Sequence, residues 1–177
     1  MKRIALYAAC AALALSVVGG VFAQAPDLNG KTEINGSISW QNSVGNTSFV
    51  LGAEGGKFLT ANWEPRVGLE FASLSGSGTN VAPQAAQTFW RITPSVAYNV
   101  TALGNTSQLP YVGAGLSYAA TSISGIGGGF GLTIYVGDRY FLNTANTSAV
   151  FAEFRIYTKS GDVPDSNGLF VGYTGIF

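Results

Sequence analysis

The chain has 177 residues, enough for one domain, and its nine basic and nine acidic side chains balance to a formal net charge of zero. It contains no histidine, and its single cysteine and single methionine both lie within the first ten residues. These numbers exclude a strongly basic nucleic-acid-binding surface, a disulfide framework and any site that depends on histidine.

The N-terminal segment has the pattern of a secretory signal peptide. Two basic residues precede an almost wholly apolar run over residues 4–18, and small residues then occupy the cleavage positions at Ala23 and at Ala25. The alternative is a single N-terminal membrane helix, which the cleavage pattern disfavours. We therefore predict a signal peptide over residues 1–23 and one domain over residues 24–177, with cleavage after Ala25 as the second option.

Removal of residues 1–23 takes two of the nine basic side chains, so seven remain against nine acidic ones and the net charge becomes −2. Only 16 of the remaining 154 residues are charged, whereas about a quarter would be charged in an ordinary soluble domain. This part of the sequence has no run of 18 apolar residues, so no membrane helix is predicted. Low charge, abundant glycine and abundant aromatics therefore favour a transmembrane β-barrel.

Eight segments with period-two alternation follow one another along the chain. They are predicted as strands over residues 31–41, 47–59, 63–73, 88–100, 110–119, 130–142, 148–159 and 168–177. Each is long enough for a tilted strand to cross a bilayer, which needs about 9–11 residues. Pro94 interrupts the fourth segment, and because proline cannot donate to a ladder we predict a bulge or kink there.

The connections alternate between short turns and longer loops. An even number of strands brings both ends of a barrel to the same side. The turns after strands two, four and six are therefore predicted to be periplasmic, and the loops after strands one, three, five and seven to face outside. The glycine-rich loop over residues 122–129 lacks the Lys-Ser/Thr ending of a phosphate-binding loop.

Alternation alone does not say which face is inside, because a soluble lipocalin-like barrel also alternates, with its apolar face inward. The charges favour the opposite orientation, since nine of them share the face away from the large apolar residues. In a membrane barrel these five acidic and four basic groups would line the lumen and neutralise one another. We predict a lumenal ion network of Glu33, Glu54, Glu64, Arg66, Glu70, Arg91, Arg139, Glu153 and Arg155.

Aromatic residues near the strand ends support the same orientation, because membrane barrels carry aromatic girdles at both interfaces. Six of them lie on the apolar face, namely Trp40, Trp63, Trp90, Tyr98, Tyr118 and Tyr173. Lys57 and Asp138 are exceptions on this face. Both lie near strand ends on the predicted periplasmic side, where they can reach water.

The last predicted strand carries Tyr173 and Phe177 on its apolar face and stops on the aromatic residue. With this strand, the face pattern and the strand ends Lys57-Phe58-Leu59 and Tyr140-Phe141-Leu142, the chain resembles the small outer-membrane β-barrel proteins of the OmpX/OmpA type. The resemblance implies an all-β, eight-stranded antiparallel transmembrane up-and-down β-barrel in the cell outer membrane. It also implies insertion by the barrel-assembly machinery, with Tyr173 and Phe177 as the closing-strand signal, and roles from envelope integrity to adhesion.

No catalytic, cofactor-binding or metal-binding residues are predicted. Without histidine a Ser-His constellation cannot form, and a Cys/His metal site is equally impossible after residue 23. Lumenal carboxylates could serve in acid–base chemistry, but a structural ion network is the favoured interpretation. The chain is therefore predicted not to be an enzyme and to need no cofactor.

Three functional hypotheses remain. The first is an outer-membrane barrel with a plugged, charge-lined lumen and a structural or surface-interaction role, since eight strands enclose only enough room for side chains. The second is a narrow channel for small or apolar solutes, which the lumenal glycines leave open because they fill little volume. The third is a soluble periplasmic lipocalin-like binding barrel. The expected partners of a monomer are outer-membrane lipids, the assembly machinery and another envelope or surface protein, without nucleic acid.

Deletion of Phe177 distinguishes an assembly signal from a simple membrane anchor. We expect the deletion to lower the amount of barrel in cellular outer membranes much more than the folding yield into lipid vesicles in vitro. Immunoblots of outer membranes and a gel-shift folding assay measure the two quantities. Similar losses in both assays would leave only the anchoring role, which any girdle aromatic could fill.

Overall fold

The computed structural model describes residues 25–43, 46–74, 87–122, 125 and 127–177. The predicted signal peptide and nearly all of the predicted loop over residues 75–87 lie outside these residues, so both stay predictions. In the part of the chain that the structure describes, no helix is long and apolar enough to span a membrane.

Eight antiparallel strands form a closed barrel in which each strand pairs with its neighbours in the sequence. This confirms the predicted architecture, and every predicted strand boundary lies within two residues of the observed one. One turn of 3-10 helix, Thr101–Leu103, follows the fourth strand. The strands are β1 Thr32–Ser43, β2 Asn46–Lys57, β3 Trp63–Leu74, β4 Gln87–Asn99, β5 Gln108–Thr121, β6 Gly129–Phe141, β7 Ser148–Tyr157 and β8 Ser166–Ile176.

The barrel closes where β8 pairs with β1, in a register that runs from Glu33 opposite Ile176 to Asn42 opposite Asn167. Just beyond the end of this ladder, Thr32 and Phe177 exchange two backbone hydrogen bonds of 2.9 and 3.0 Å. An open edge would leave a row of backbone donors and acceptors without partners. Closure therefore pairs the edge hydrogen-bonding groups of the first strand with those of the last strand.

Large apolar side chains point outward and charged ones point inward. Leu69 is 55% exposed, whereas Glu70, the next residue of β3, is 4% exposed. The same alternation holds in β1, where Ile34 is 60% exposed and Glu33 is fully buried. An ordinary soluble barrel has the opposite arrangement, so the outer wall of this barrel is the apolar surface.

Aromatic pairs lie near both ends of the outer wall. Three of the contacts lie near the end that carries the β1–β2 connection, and one lies near the end that carries the β2–β3 turn. Most of them are edge-to-face, a geometry that ring quadrupoles favour. The pairs are Trp40–Phe49 at 5.9 Å, Trp90–Tyr118 at 5.5 Å, Tyr118–Phe130 at 5.1 Å and Trp63–Tyr98 at 5.0 Å between centroids.

Of the two distortions predicted at Pro94, a bulge or a kink, the bulge is absent from β4. Ile92 pairs with Tyr118 and Ser95 pairs with Gly115 at the same offset, so no residue is inserted into β4. The β4–β5 register is interrupted at Thr93 and Pro94 instead. At Gly115 the two strands approach so closely that a Cβ would overlap the Pro94 carbonyl oxygen. This local gap in the ladder, next to the Ser95–Gly115 pair, accommodates the missing proline donor.

Candidate functional site: the barrel lumen

Inward-pointing side chains from all eight strands fill the lumen, and the nine predicted charged residues lie among them. None of the nine is more than 8% exposed. Each makes at least one ion pair with another of the nine. The structure therefore brings the whole predicted set together.

The end of the barrel that carries the β2–β3 turn is called the lower end, and the opposite end the upper end. In the lower part of the lumen, Arg139 makes most of the charged contacts. Its guanidinium donates to both Glu33 carboxylate oxygens at 3.0 and 3.1 Å and to Glu64 Oε2 at 2.6 Å. Its remaining terminal nitrogen donates to Asn99 Oδ1 at 2.7 Å. A buried guanidinium with this many charge-assisted hydrogen bonds is well compensated for the loss of water.

Arg66 joins the lower and middle parts. It lies 2.8 Å from Glu64 Oε2, 3.4 Å from Glu33 Oε1 and 3.2 Å from Glu54 Oε1. Across the lumen it lies 3.7 Å from Glu153 Oε2. Because β3 and β7 are diametrically opposed in an eight-stranded ring, this contact spans the full width of the lumen.

The upper part contains the other two arginines. Arg155 contacts Glu54 at 3.1 Å and Glu70 at 3.2 Å, and it also pairs with Glu153. Arg91 lies 3.0 Å from Glu70 Oε2. Shared carboxylates thus link all nine groups into a single connected network along the lumen axis.

Aromatic rings stack against each of the four arginines. Arg66 and Arg139 both lie over the Tyr111 ring, with Cζ 4.6 and 4.3 Å from its centroid. Arg91 lies 3.6 Å from the centroid of Tyr157, and Arg155 lies 4.4 Å from that of Phe170. Cation–π contact adds attraction in a site that excludes water. No role is predicted for these rings from the sequence, although their inward register is a usable signal.

Two of the lumenal glycines lie beside aromatic rings of the neighbouring strand, whereas the channel hypothesis assumed that glycines leave volume unfilled. Gly113 pairs with Tyr135 and Gly137 with Tyr111 across β5 and β6. A Cβ at Gly113 would overlap the Tyr135 ring, and one at Gly137 would come within 2.5 Å of Tyr111. Each glycine therefore makes room for a ring from the neighbouring strand, and the ring fills the space.

An apolar cluster lies at the lower end of the lumen. Leu28, in the segment just before β1, is fully buried there. It packs with five other buried residues, Phe58, Leu109, Phe141, Ala149 and Ile176. Two backbone hydrogen bonds, from the Gly30 N–H to the Phe58 carbonyl and from the Phe58 N–H to the Lys31 carbonyl, hold the segment beneath the barrel. The sequence pattern does not predict this packing of the segment before β1, because residues 25–31 have no periodicity.

A second apolar cluster lies at the upper end. Val163, in the β7–β8 loop, packs with Val50, Ala72, Phe89 and Ala119. Asp162 holds the same loop against the β5–β6 loop through two hydrogen bonds. Its carboxylate Oδ2 accepts from the Gly127 backbone N–H at 3.1 Å, and its backbone N–H donates to the Gly127 carbonyl oxygen at 3.1 Å. The charged network thus lies between two apolar clusters.

The lumenal acids are all engaged in electrostatic pairing. Every lumenal glutamate is paired with at least one arginine, and the upper and lower clusters separate the network from both ends of the barrel. Among the residues that the structure describes, no group of three or more Asp, Glu, His or Cys side chains could hold a metal ion.

Tyr173 and Phe177 lie on the outer wall, where they are 54% and 76% exposed. Both belong to the seam between β8 and β1, since Tyr173 pairs with Gly36 and Phe177 bonds to Thr32. Their position leaves their side chains accessible from outside the barrel. Recognition of these residues by the assembly machinery stays a prediction.

No protein-family model and no curated protein sequence matches the chain. Solved structures do match. The crystal structure of Neisserial surface protein A (NspA) is 17% identical, with a TM-score of 0.62 over 82% of this chain and 95% of that one. The N-terminal β-barrel domain of Pseudomonas aeruginosa OprF is 16% identical, with a TM-score of 0.60 over 86% and 100%.

A third match is Ail, the attachment invasion locus protein of Yersinia pestis, in a complex with the heparin analogue sucrose octasulfate. It is 12% identical, with a TM-score of 0.59 over 84% of this chain and 99% of that one. These similarities confirm the resemblance to small eight-stranded outer-membrane barrels at the level of the fold.

Arg66→Ala tests the energetic importance of the network. The variant leaves four buried carboxylates without one of their partners, and breaking a buried pair costs about 3–5 kcal/mol. We expect its free energy of unfolding in urea to fall by about that amount. Lys159→Ala is the matched control, because Lys159 is an exposed cation in the β7–β8 loop and exposed pairs contribute about 0–1 kcal/mol. Equal unfolding midpoints for the two variants would contradict a stabilising network.

Proposed function

We propose that the chain is an outer-membrane barrel protein with a closed lumen and a structural or surface-interaction role. The observation that carries this proposal is the inverted arrangement of the barrel, with an apolar outer wall and a buried ion network inside. An apolar wall of this extent would be unfavourable in water and is suited to lipid. The fold shared with outer-membrane proteins supports the same location.

Several features of the lumen support closure. Ion pairs cross the lumen from β7 to β2 and β3, rings occupy the space beside two of the glycines, and apolar clusters lie above and below. A solute would have to displace Leu28 or Val163 and then break paired charges. These observations favour a plugged barrel over a narrow channel.

The outer loops define what a surface partner would meet. In and beside the loops after strands one, three, five and seven, the sequence offers one cation, Lys159 at the edge of the last of these loops, and two carboxylates, Asp162 and Asp165. The match to Ail concerns a protein whose structure holds a polysulfated ligand. Because these loops are nearly devoid of cations, we propose a protein partner from the envelope or the surroundings rather than a polyanion.

Cell fractionation tests the proposed location. We expect the chain in the outer-membrane fraction, folded in SDS until it is boiled and therefore running at two gel mobilities. An assembled barrel resists SDS because its backbone hydrogen bonds close on themselves. Recovery in the soluble periplasmic fraction would contradict the proposal and favour the lipocalin-like alternative.

Planar-bilayer recording tests closure. We expect no steady single-channel conductance from the purified, folded protein at either polarity, because the ion network and both apolar clusters obstruct the lumen. A large porin inserted into the same bilayer shows that the assay detects open channels, and boiled protein controls for contaminants. Reproducible unitary steps from the wild-type protein would overturn closure and favour the channel for small solutes.

A further inference from the structure

A groove of about 710 Å³ crosses the outer wall over β6, β7, β8 and β1. Cross-strand pairing arranges its outward side chains in two adjacent rows. One row contains Tyr140, Val150, Tyr173 and Gly36, and the next contains Asp138, Ala152, Val171 and Ile38. Gly36 and Ala152 create the depression, since a Cβ built on Gly36 would meet no heavy atom within 4 Å.

Asp138 is the only charged residue that lines this groove in the described part of the chain. Its Oδ1 is buried without a hydrogen-bond partner among the described residues, and the Leu109 backbone amide bonds to the same carboxyl group. A carboxylate on the lipid-facing wall is unfavourable unless something pairs with it. The groove therefore combines an apolar floor with an acceptor that lacks a donor.

We propose that this groove binds one phospholipid whose headgroup carries a primary ammonium. The ammonium donates to Asp138, and an acyl chain lies across Ala152 and Val171 toward Ile38. Tyr140 and Tyr173 border the groove close to the lower strand ends, where interfacial aromatics meet headgroups. The inference rests on the membrane location proposed above.

Charge and hydrogen-bonding capacity favour this occupant over other lipids. A primary ammonium supplies three donors and a positive charge, which match a carboxylate with an unpartnered oxygen. A quaternary ammonium has the charge without the donors, and an anionic headgroup would be repelled by Asp138. A second copy of the chain is the competing occupant of an apolar groove in a membrane.

Native mass spectrometry of the folded full chain in detergent micelles measures the preference. The probes are phosphatidylethanolamine, phosphatidylcholine and phosphatidylglycerol with identical acyl chains. We expect one molecule of phosphatidylethanolamine to bind about tenfold more tightly than the other two, the order of magnitude for a charge-assisted hydrogen bond. Asp138→Asn should reduce its affinity to that of phosphatidylcholine, because the side chain keeps its shape and loses its charge.

Two variants fill the groove and leave the Asp138 residue itself unchanged. Gly36→Phe and Ala152→Phe should each abolish the tight binding of phosphatidylethanolamine. Gly55→Phe is the matched control, because Gly55 is also exposed on the wall and a Cβ there would have a single neighbour, at 4.0 Å. It should bind like the wild type. Each variant is first checked for the heat-dependent gel shift, so a misfolded protein is recognised before lipid is added.

Three results would overturn the proposal. They are equal affinity of the wild type for the three lipids, an unchanged preference in Asp138→Asn, and equal losses in Gly36→Phe and Gly55→Phe. A lipid-free wild-type dimer that Gly36→Phe dissociates would assign the groove to a second copy and would also overturn it. Failure of the membrane location is distinguishable, because the wild-type chain would then show no heat-dependent gel shift at all.

Discussion

The pairing of every strand's backbone hydrogen-bonding groups is the constraint on which the rest of this structure depends. In lipid, no water is present to form hydrogen bonds with an unpaired backbone donor or acceptor, so a sheet must close on itself. Here the closure is made by β1 and β8 and is completed by the reciprocal bonds between Thr32 and Phe177. Once the ring is closed, alternation along each strand divides the side chains into a wall and a lumen. The apolar set lies on the wall, which leaves the lumen to the polar and charged set.

A lumen filled with charges must satisfy them internally. Four arginines pair with five glutamates, and each arginine contacts more than one partner. Arg91, with a single ion pair, also donates to Ser166 Oγ at 3.3 Å and stacks on Tyr157. The aromatic rings serve two purposes, since they contact the guanidinium faces and occupy the volume that the glycines leave. Reciprocal pairs such as Tyr111 with Gly137 and Tyr135 with Gly113 combine both purposes.

The two ends of the barrel also bear on its proposed function. The network is buried between two apolar clusters, and each cluster includes a residue from outside the strands, Leu28 before β1 and Val163 in the β7–β8 loop. In the proposed function, a barrel closed in this way offers its outer surfaces for interaction, while its interior contributes stability. The outer loops, with few charges, and the groove at Asp138 are the surfaces where specific contacts with partners and lipids are proposed.

The sequence by itself determined the architecture, the strand boundaries to within two residues and the direction in which the charged side chains point. Period-two alternation and chain length suffice for this, because each strand's two faces follow from local geometry. Only the tertiary structure decided which charges pair, how rings such as Tyr135 cover the glycines, and how Leu28 and Val163 lie against the lumen. At Pro94, where a bulge or a kink was predicted, it showed a gap in the ladder and no bulge. These features depend on distances between strands and on segments without periodicity, neither of which is encoded in a local pattern.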